Sequence, residues 1–264
     1  MLEITSTKNP RVKNLTLLQS KAKARREQGI FIVEGKKENE LLLNSEYQLK
    51  EAYICPELIN EELFNSIKDS LDENSIFFVS KEVFDKVAYR GSTGGIITIA
   101  SQQYFQLNDL KNISNPLILV AESVEKPGNI GALLRTVDAA QVDALVICDP
   151  KTDFFNPNVI RSSLGCVFTT KIISCTSEEA ISFFKNEGIN IYCAALSASK
   201  RYDLIDYQKG SALVFGTEST GLTETWLENS TQNIIIPMQG EIDSLNVSVS
   251  AAVITFEAVR QRGY

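Results

Sequence analysis

Hydrophobic positions fall in short runs separated by stretches of helical spacing, the alternation expected of an α/β chain. Residues 5–28 read as a helical lead-in whose apolar positions are Val12, Leu15, Leu17 and Leu18. FIVEG (31–35), AYICP (52–56), IFFVS (76–80) and GGIITIAS (94–101) predict strands. Helices are expected over 36–43, within PELINEELFNSIKDSL and over 81–87. The polar segment QQYFQLNDLKNISN (102–115) precedes Pro116 and marks a boundary. The chain therefore divides into a smaller α/β domain (1–105), a linker (106–115) and a second domain (116–264).

The second domain alternates more regularly. Strands are predicted at 117–123, 144–149, 170–174, 190–196, 212–216 and 233–238. Helices are predicted at 130–141, 159–164, 178–186, 223–228 and 247–260, with Thr176 and Glu179 forming a capping box for the third. Uniformly apolar strands between helices imply a parallel sheet covered on both faces. Ligands of such sheets sit beyond the carboxyl ends of the strands.

Composition narrows the chemistry. The 264 residues contain no histidine, which excludes Ser–His–Asp and Cys–His catalysis and imidazole metal sites. Cys55, Cys148, Cys166, Cys175 and Cys193 form no CxxC pair and read as reduced structural thiols, so no metal is expected. No apolar run approaches the roughly 18–20 residues of a membrane span, and the N-terminus lacks a signal-like core; a cytoplasmic protein is expected. Net charge is −7, but residues 1–30 hold seven basic and two acidic side chains. Such a basic arm can engage phosphates locally, because salt screens each charge beyond about 8–10 Å. Lys21, Lys23, Arg25 and Arg26 are its candidate phosphate contacts.

Three strand-end segments stand out. In VEKPGNIGALLRTVDAA (124–140), Asn129 stands at the expected helix start, where it reads equally as an N-cap, and Arg135 lies in an apolar helix where a partner is expected. The spacing of GNIG is not a dinucleotide fingerprint, which weakens an oxidoreductase reading. In VFGTESTGLTE (214–224), Gly216 and Gly221 bracket a turn without the Lys-Ser/Thr of a phosphate loop, and Glu218 would repel phosphate while accepting from hydroxyls or a cation. In IIIPMQGEIDSLNVSVSAAVITFEAV (234–259), Ser244 reads as an N-cap, and Ser248, Ser250, Ala251 and Ala252 permit close packing.

NIGALLR, FGTESTGL and IPMQGEIDSLNVSVSAA together resemble the three motifs of the SpoU (TrmH-like) branch of the SPOUT RNA methyltransferases. KNPRVKNL and FIVEG are similar to the L30e-like RNA-binding domain that often precedes it. The resemblance implies a parallel-sheet domain with a deep trefoil knot, a homodimer packed through that knot, and an S-adenosylmethionine pocket. By motif position the pocket would use Leu213, Val214, Phe215, Gly216, Gly221, Ile236, Met238, Gly240 and Leu245. The implied reaction is methylation of an RNA ribose 2′-hydroxyl, with ribosomal RNA favoured over transfer RNA. Arg135 would contact the target ribose or phosphate, with Asn129, Glu218, Ser244 and Asn246 as the other polar site residues. Thr217 departs from the asparagine usual in the second motif, and RGSTGGII (90–97) departs from the pattern before the linker. An inactive RNA-binding or ribosome-assembly protein on the same fold is the alternative.

Overall fold

The computed structural model describes residues 2–89, 94–196 and 199–263; residues 90–93 of the divergent RGSTGGII segment lie outside them. Contacts divide the chain into two compact units, 1–103 with 153–169 and 104–152 with 170–264.

In the first unit the chain runs β1 (Leu2–Ile4), α1 (Pro10–Ser20), α2 (Ala22–Gln28), β2 (Ile30–Glu34), α3 (Lys36–Leu43), β3 (Leu49–Ile54), α4 (Glu61–Ser70), β4 (Ile76–Val79), α5 (Lys81–Val87) and β5 (Ile96–Ser101). Asn9 caps α1 by accepting from the Arg11 N–H, and Pro10 occupies the first helical position. The expected single lead-in helix is two helices, because Lys21 is extended (φ −122°, ψ 107°). The sheet order is β1-β4-β3-β5-β2, with β5 antiparallel to β3 and β2 and the remaining pairs parallel.

Sequence pattern gave residues 153–169 to the C-terminal domain, whereas by contact they pack in the first unit. Phe155 stacks on Phe31 with ring centroids 4.4 Å apart. Beside it lies a correction to the basic arm. Arg25, expected on RNA phosphates, is only 2% exposed. Its Nε donates to Asp153 Oδ2 at 2.7 Å, and Nη1 donates to the carbonyls of Leu18 (2.5 Å) and Gln19 (3.3 Å). A buried guanidinium is tolerated only when paired in this way, so Arg25 serves the fold. Lys21, Lys23 and Arg26 remain exposed.

The chain continues with β6 (Leu117–Glu122), α6 (Pro127–Ala139), β7 (Ala144–Cys148), α7 (Pro157–Ser162, which belongs to the first unit), β8 (Ile172–Cys175), α8 (Ser177–Asn186), β9 (Asn190–Ala194), β10 (Lys200–Arg201), β11 (Ser211–Phe215), α9 (Glu224–Asn229), β12 (Gln232–Ile235) and α10 (Val247–Arg262). Seven strands form a wholly parallel sheet in the order β10-β12-β9-β11-β6-β7-β8. The six strands read from the pattern are present, and two-residue β10 joins them at one edge. The 106–115 segment contains a 3-10 turn, Leu107–Leu110, that buries Leu110. Thr176 and Glu179 form the predicted capping box. In the core, Trp226 Nε1 donates to Ser177 Oγ (2.8 Å), which donates to Asp149 Oδ2 (2.5 Å). Among the described residues no helix is long and apolar enough to cross a membrane.

Removing one partner of a buried ion pair leaves the other charge unpaired, which costs about 3–5 kcal/mol. Arg25→Ala is therefore expected to lower unfolding stability by about that amount in urea titrations, whereas Arg26→Ala should change it by less than about 0.5 kcal/mol.

Candidate active site

β6 and β11 pair in register from Leu117↔Ser211 to Ala121↔Phe215. The chain leaves β6 toward β7 on one side, and leaves β11 toward β12, beyond β9, on the other. Such a reversal opens a crevice at the carboxyl ends of the two strands. α6 starts just past β6, and residues 216–222 follow β11.

That loop closes on itself: Thr217 and Gly221 exchange backbone hydrogen bonds at 3.1 and 3.0 Å. A Cβ on Gly216 would run into the Gly221 carbonyl, so that position requires glycine, and the φ of +70° at Gly221 favours it there. The far end of the loop is tied by Glu122, buried at the end of β6, which accepts from Thr223 N (3.0 Å) and Thr223 Oγ1 (2.7 Å).

Glu218 projects from this loop into a cluster drawn from all three motif segments. Its Oε1 accepts from Asn129 Nδ2 (3.1 Å) and Asn246 Nδ2 (2.5 Å), and its Oε2 from the Lys126 ammonium. Asn246 Nδ2 also reaches Asn129 Oδ1 at 3.2 Å. The Lys126 ammonium, followed by the Asn129 amide, holds the Glu218 carboxyl below its ordinary value. Asn246 has a second task. Its Oδ1 accepts from Ser248 N (3.0 Å) and Ser248 Oγ (2.6 Å), making it the N-cap of α10.

The expected capping roles are corrected accordingly. Ser244 does not cap α10; its Oγ donates to Asp243 Oδ1 at 3.1 Å. Asn129 lies inside the first turn of α6, because Pro127 starts the helix three residues earlier than the expected 130–141. Arg135 is exposed on α6 and has no ion pair or hydrogen-bonding partner among the described residues, contrary to the partner expected for it.

A cavity of about 720 Å³ opens beside the cluster. Phe215, Gly216, Glu218, Gly221, Ile236, Met238, Ser244, Leu245 and Asn246 line it. Leu213 and Val214 are wholly buried in β11, Gly240 is exposed with open space at its Cβ, and neither these three nor Asn129 and Arg135 line the cavity. Sequence reading missed Ala194, Ala195 and Leu196, at and just beyond the end of β9, which also line it, and Lys126, the cation on Glu218. Their position at strand ends was the available signal. Apolar walls, a backbone that a ligand can approach and a carboxylate at the rim suit a ligand with a flat apolar face, hydroxyls and a positive centre. S-adenosylmethionine has these features.

A sequence profile described as the SpoU rRNA Methylase family matches residues 116–256. The chain belongs to that family. A second profile, the MRM3-like substrate binding domain, matches residues 9–98 of this SpoU protein. It is 29% identical over 260 residues to the Bacillus subtilis 23S rRNA (guanosine(2553)-2′-O)-methyltransferase RlmP, covering 97% of this chain and 98% of the relative. A crystal structure of an RNA 2′-O ribose methyltransferase superposes with a TM-score of 0.82 at 34% identity, covering 99% of both chains. The AdoMet-bound rRNA methyltransferase from Sinorhizobium meliloti gives 0.89 at 27% identity, covering 98% of this chain and 97% of that one.

Gly216→Ala forces the loop off the Gly221 carbonyl and should weaken S-adenosylmethionine binding at least about tenfold in calorimetric titration, a loss of about 1.4 kcal/mol. Gly240→Ala, which meets open space, should leave the affinity unchanged.

Proposed function

We propose that this protein transfers a methyl group from S-adenosylmethionine to a ribose 2′-hydroxyl of ribosomal RNA. The observation that carries the reading is the Glu218 cluster, which joins all three motif segments at the mouth of the cavity. When bound, S-adenosylmethionine supplies an electrophilic methyl group on a positively charged sulfur. Phe215, Gly216, Gly221, Ile236, Met238 and Leu245 would hold it, with Leu213 and Val214 as the buried strand behind that wall and Gly240 in the loop that follows it. The similarity to RlmP and to the Sinorhizobium meliloti rRNA methyltransferase favours ribosomal over transfer RNA.

The attacking hydroxyl must lose its proton as the bond forms. Glu218 is held ionised by Lys126 and two amides, and its lowered pKa makes it a weak base, so it orients rather than deprotonates. Asn129 and Asn246 fix its position, and Ser244 lies at the rim of the same cavity. Arg135, a permanent cation on an exposed helix surface, contacts the target phosphate or ribose. Lys21, Lys23 and Arg26 hold more distant phosphates.

The division of labour assigns RNA binding to residues 1–105, joined by 153–169, and methyl transfer to the rest of 116–264. The C-terminal segment threads a trefoil knot, and two copies pair through α10; the exposure of Val249 (47%) and Phe256 (39%) on that helix supports the pairing. We read the protein as cytoplasmic, in keeping with work on ribosomal RNA.

The test supplies labelled S-adenosylmethionine with unmodified 23S-type rRNA, 16S-type rRNA or tRNA, followed by alkaline hydrolysis. Label in alkali-resistant dinucleotides from an rRNA pool is expected, and Arg135→Ala should remove it. Label only from tRNA would overturn the substrate assignment, and cofactor binding without transfer to any RNA would leave an RNA-binding protein. For the arm, replacing Lys21, Lys23 and Arg26 together with Ala should flatten the salt dependence of RNA binding by about 2–3 in log–log slope, at roughly 0.7–0.9 per phosphate contact. An unchanged slope would remove the arm from the interface.

A further inference from the structure

We propose that the first unit carries a seat for one unstacked guanine base of RNA, built from Tyr89, Arg161 and Glu38. The proposal rests on reading the protein as an RNA enzyme, and it adds a base-specific contact remote in sequence from the methyl-transfer motifs.

A cavity of about 380 Å³ lies between the start of α3 and the 153–169 segment, lined by Glu34, Lys36, Glu38, Tyr89, Ile160 and Arg161 among others. The Arg161 guanidinium carbon lies 4.2 Å above the centroid of the Tyr89 ring. Both members of this stack are held: Arg161 Nη2 donates to Asn158 Oδ1 at 2.8 Å, and the Tyr89 N–H donates to both oxygens of Glu34 at 2.9 and 3.0 Å. Tyr89 nevertheless stays 58% exposed. Proteins that read unpaired RNA bases stack them on aromatic rings and guanidinium planes, then hydrogen-bond the Watson–Crick edge.

Glu38 supplies the reader of that edge. It is only 9% exposed, it lines the cavity, and its carboxylate accepts a hydrogen bond from its own backbone N–H. A carboxylate presents two oxygens side by side with about four acceptor positions, of which that one N–H fills only one. Among the four RNA bases only guanine offers two adjacent donors, N1–H and the 2-amino group. Adenine and cytosine place an acceptor beside their amino group, and uracil flanks its single N–H with two carbonyls. A phosphate would meet Glu34 and Glu38, whose charges balance Lys36 and Arg161, so the cavity suits a neutral base rather than an anion. The Arg25–Asp153 pair and the Phe31–Phe155 stack anchor the segment that carries Arg161.

The test uses the full chain with fluorescein-labelled pentaribonucleotides UUXUU, where X is guanosine, adenosine, cytidine, uridine or inosine, read by anisotropy at fixed salt. Guanosine should bind at least about tenfold more tightly than the other three standard bases. Inosine, which lacks the 2-amino group, should lose most of that advantage. Glu38→Gln should abolish the preference, while Tyr89→Ala should weaken all five probes. Equal binding of all probes, or a guanosine preference that survives Glu38→Gln, would overturn the proposal. S-adenosylmethionine affinity measured on the same preparations reports folding, and if Glu38→Gln does not fold, the inosine and Tyr89→Ala comparisons decide alone. Equal probe binding alongside intact rRNA methylation removes only the guanine seat, whereas absence of methylation on every RNA removes the larger reading.

Discussion

The pairing of β6 with β11 is the constraint on which the candidate site depends. These strands lie some ninety residues apart in the chain, yet their register, Ala121 opposite Phe215, decides where two of the three motif segments emerge. Buried Glu122 then fixes the other end of the loop by accepting twice from Thr223. A loop held at both ends, with glycine where a Cβ has no room (Gly216) and where φ is left-handed (Gly221), has little freedom left. Glu218 is presented at one place as a consequence of sheet register.

The third segment is drawn in by Asn246, which uses its two side-chain ends for different purposes. Its carbonyl caps α10, a contribution of about 1 kcal/mol, while its amide donates to Glu218 and Asn129. Formation of the α10 N-terminus and assembly of the polar cluster are therefore one event. Ala251, Ile254 and Ala258 bury the side of α10 that packs on α6 and β11, so the cap sits at the end of a helix already fixed along its length.

The sheet was legible because its central strands are buried on both faces and read as unbroken apolar runs, and the motif segments could be placed because they interrupt those runs at strand ends. What escaped the sequence depends on partners distant in the chain. Arg25 looks like its neighbours Lys21, Lys23 and Arg26, and only Asp153, 128 residues away, makes it a buried structural cation. Residues 153–169 carry no pattern that assigns them to the first unit; the signal is the fit of Phe155 on Phe31. Ser244 and Asn246 are both good capping residues two positions apart, and Asn246 takes the cap because its amide also has Glu218 to meet. Lys21 breaks the lead-in helix although lysine is a good helix former, a choice that propensity does not make. Two- and three-residue strands such as β10 and β1 are too short to show a period.

The available side chains also constrain how catalysis can proceed. The chain has no histidine, and burial pushes the Cys193 thiol up to about 12 and raises Cys55 as well. Contact with Cys175, followed by burial, raises Cys148. Glu218 is displaced in the acidic direction. A carboxylate so shifted is poorly matched to exchanging a proton near neutrality, as general acid–base catalysis would require. Alignment of reacting groups can by itself supply about 7–11 kcal/mol of a barrier, provided the groups around them do not move. A carboxylate locked by an ammonium and two amides, on a loop fixed at both ends, is the kind of rigid element that such a mechanism needs. A rigid site of this kind suits a reaction helped more by alignment than by a tuned base.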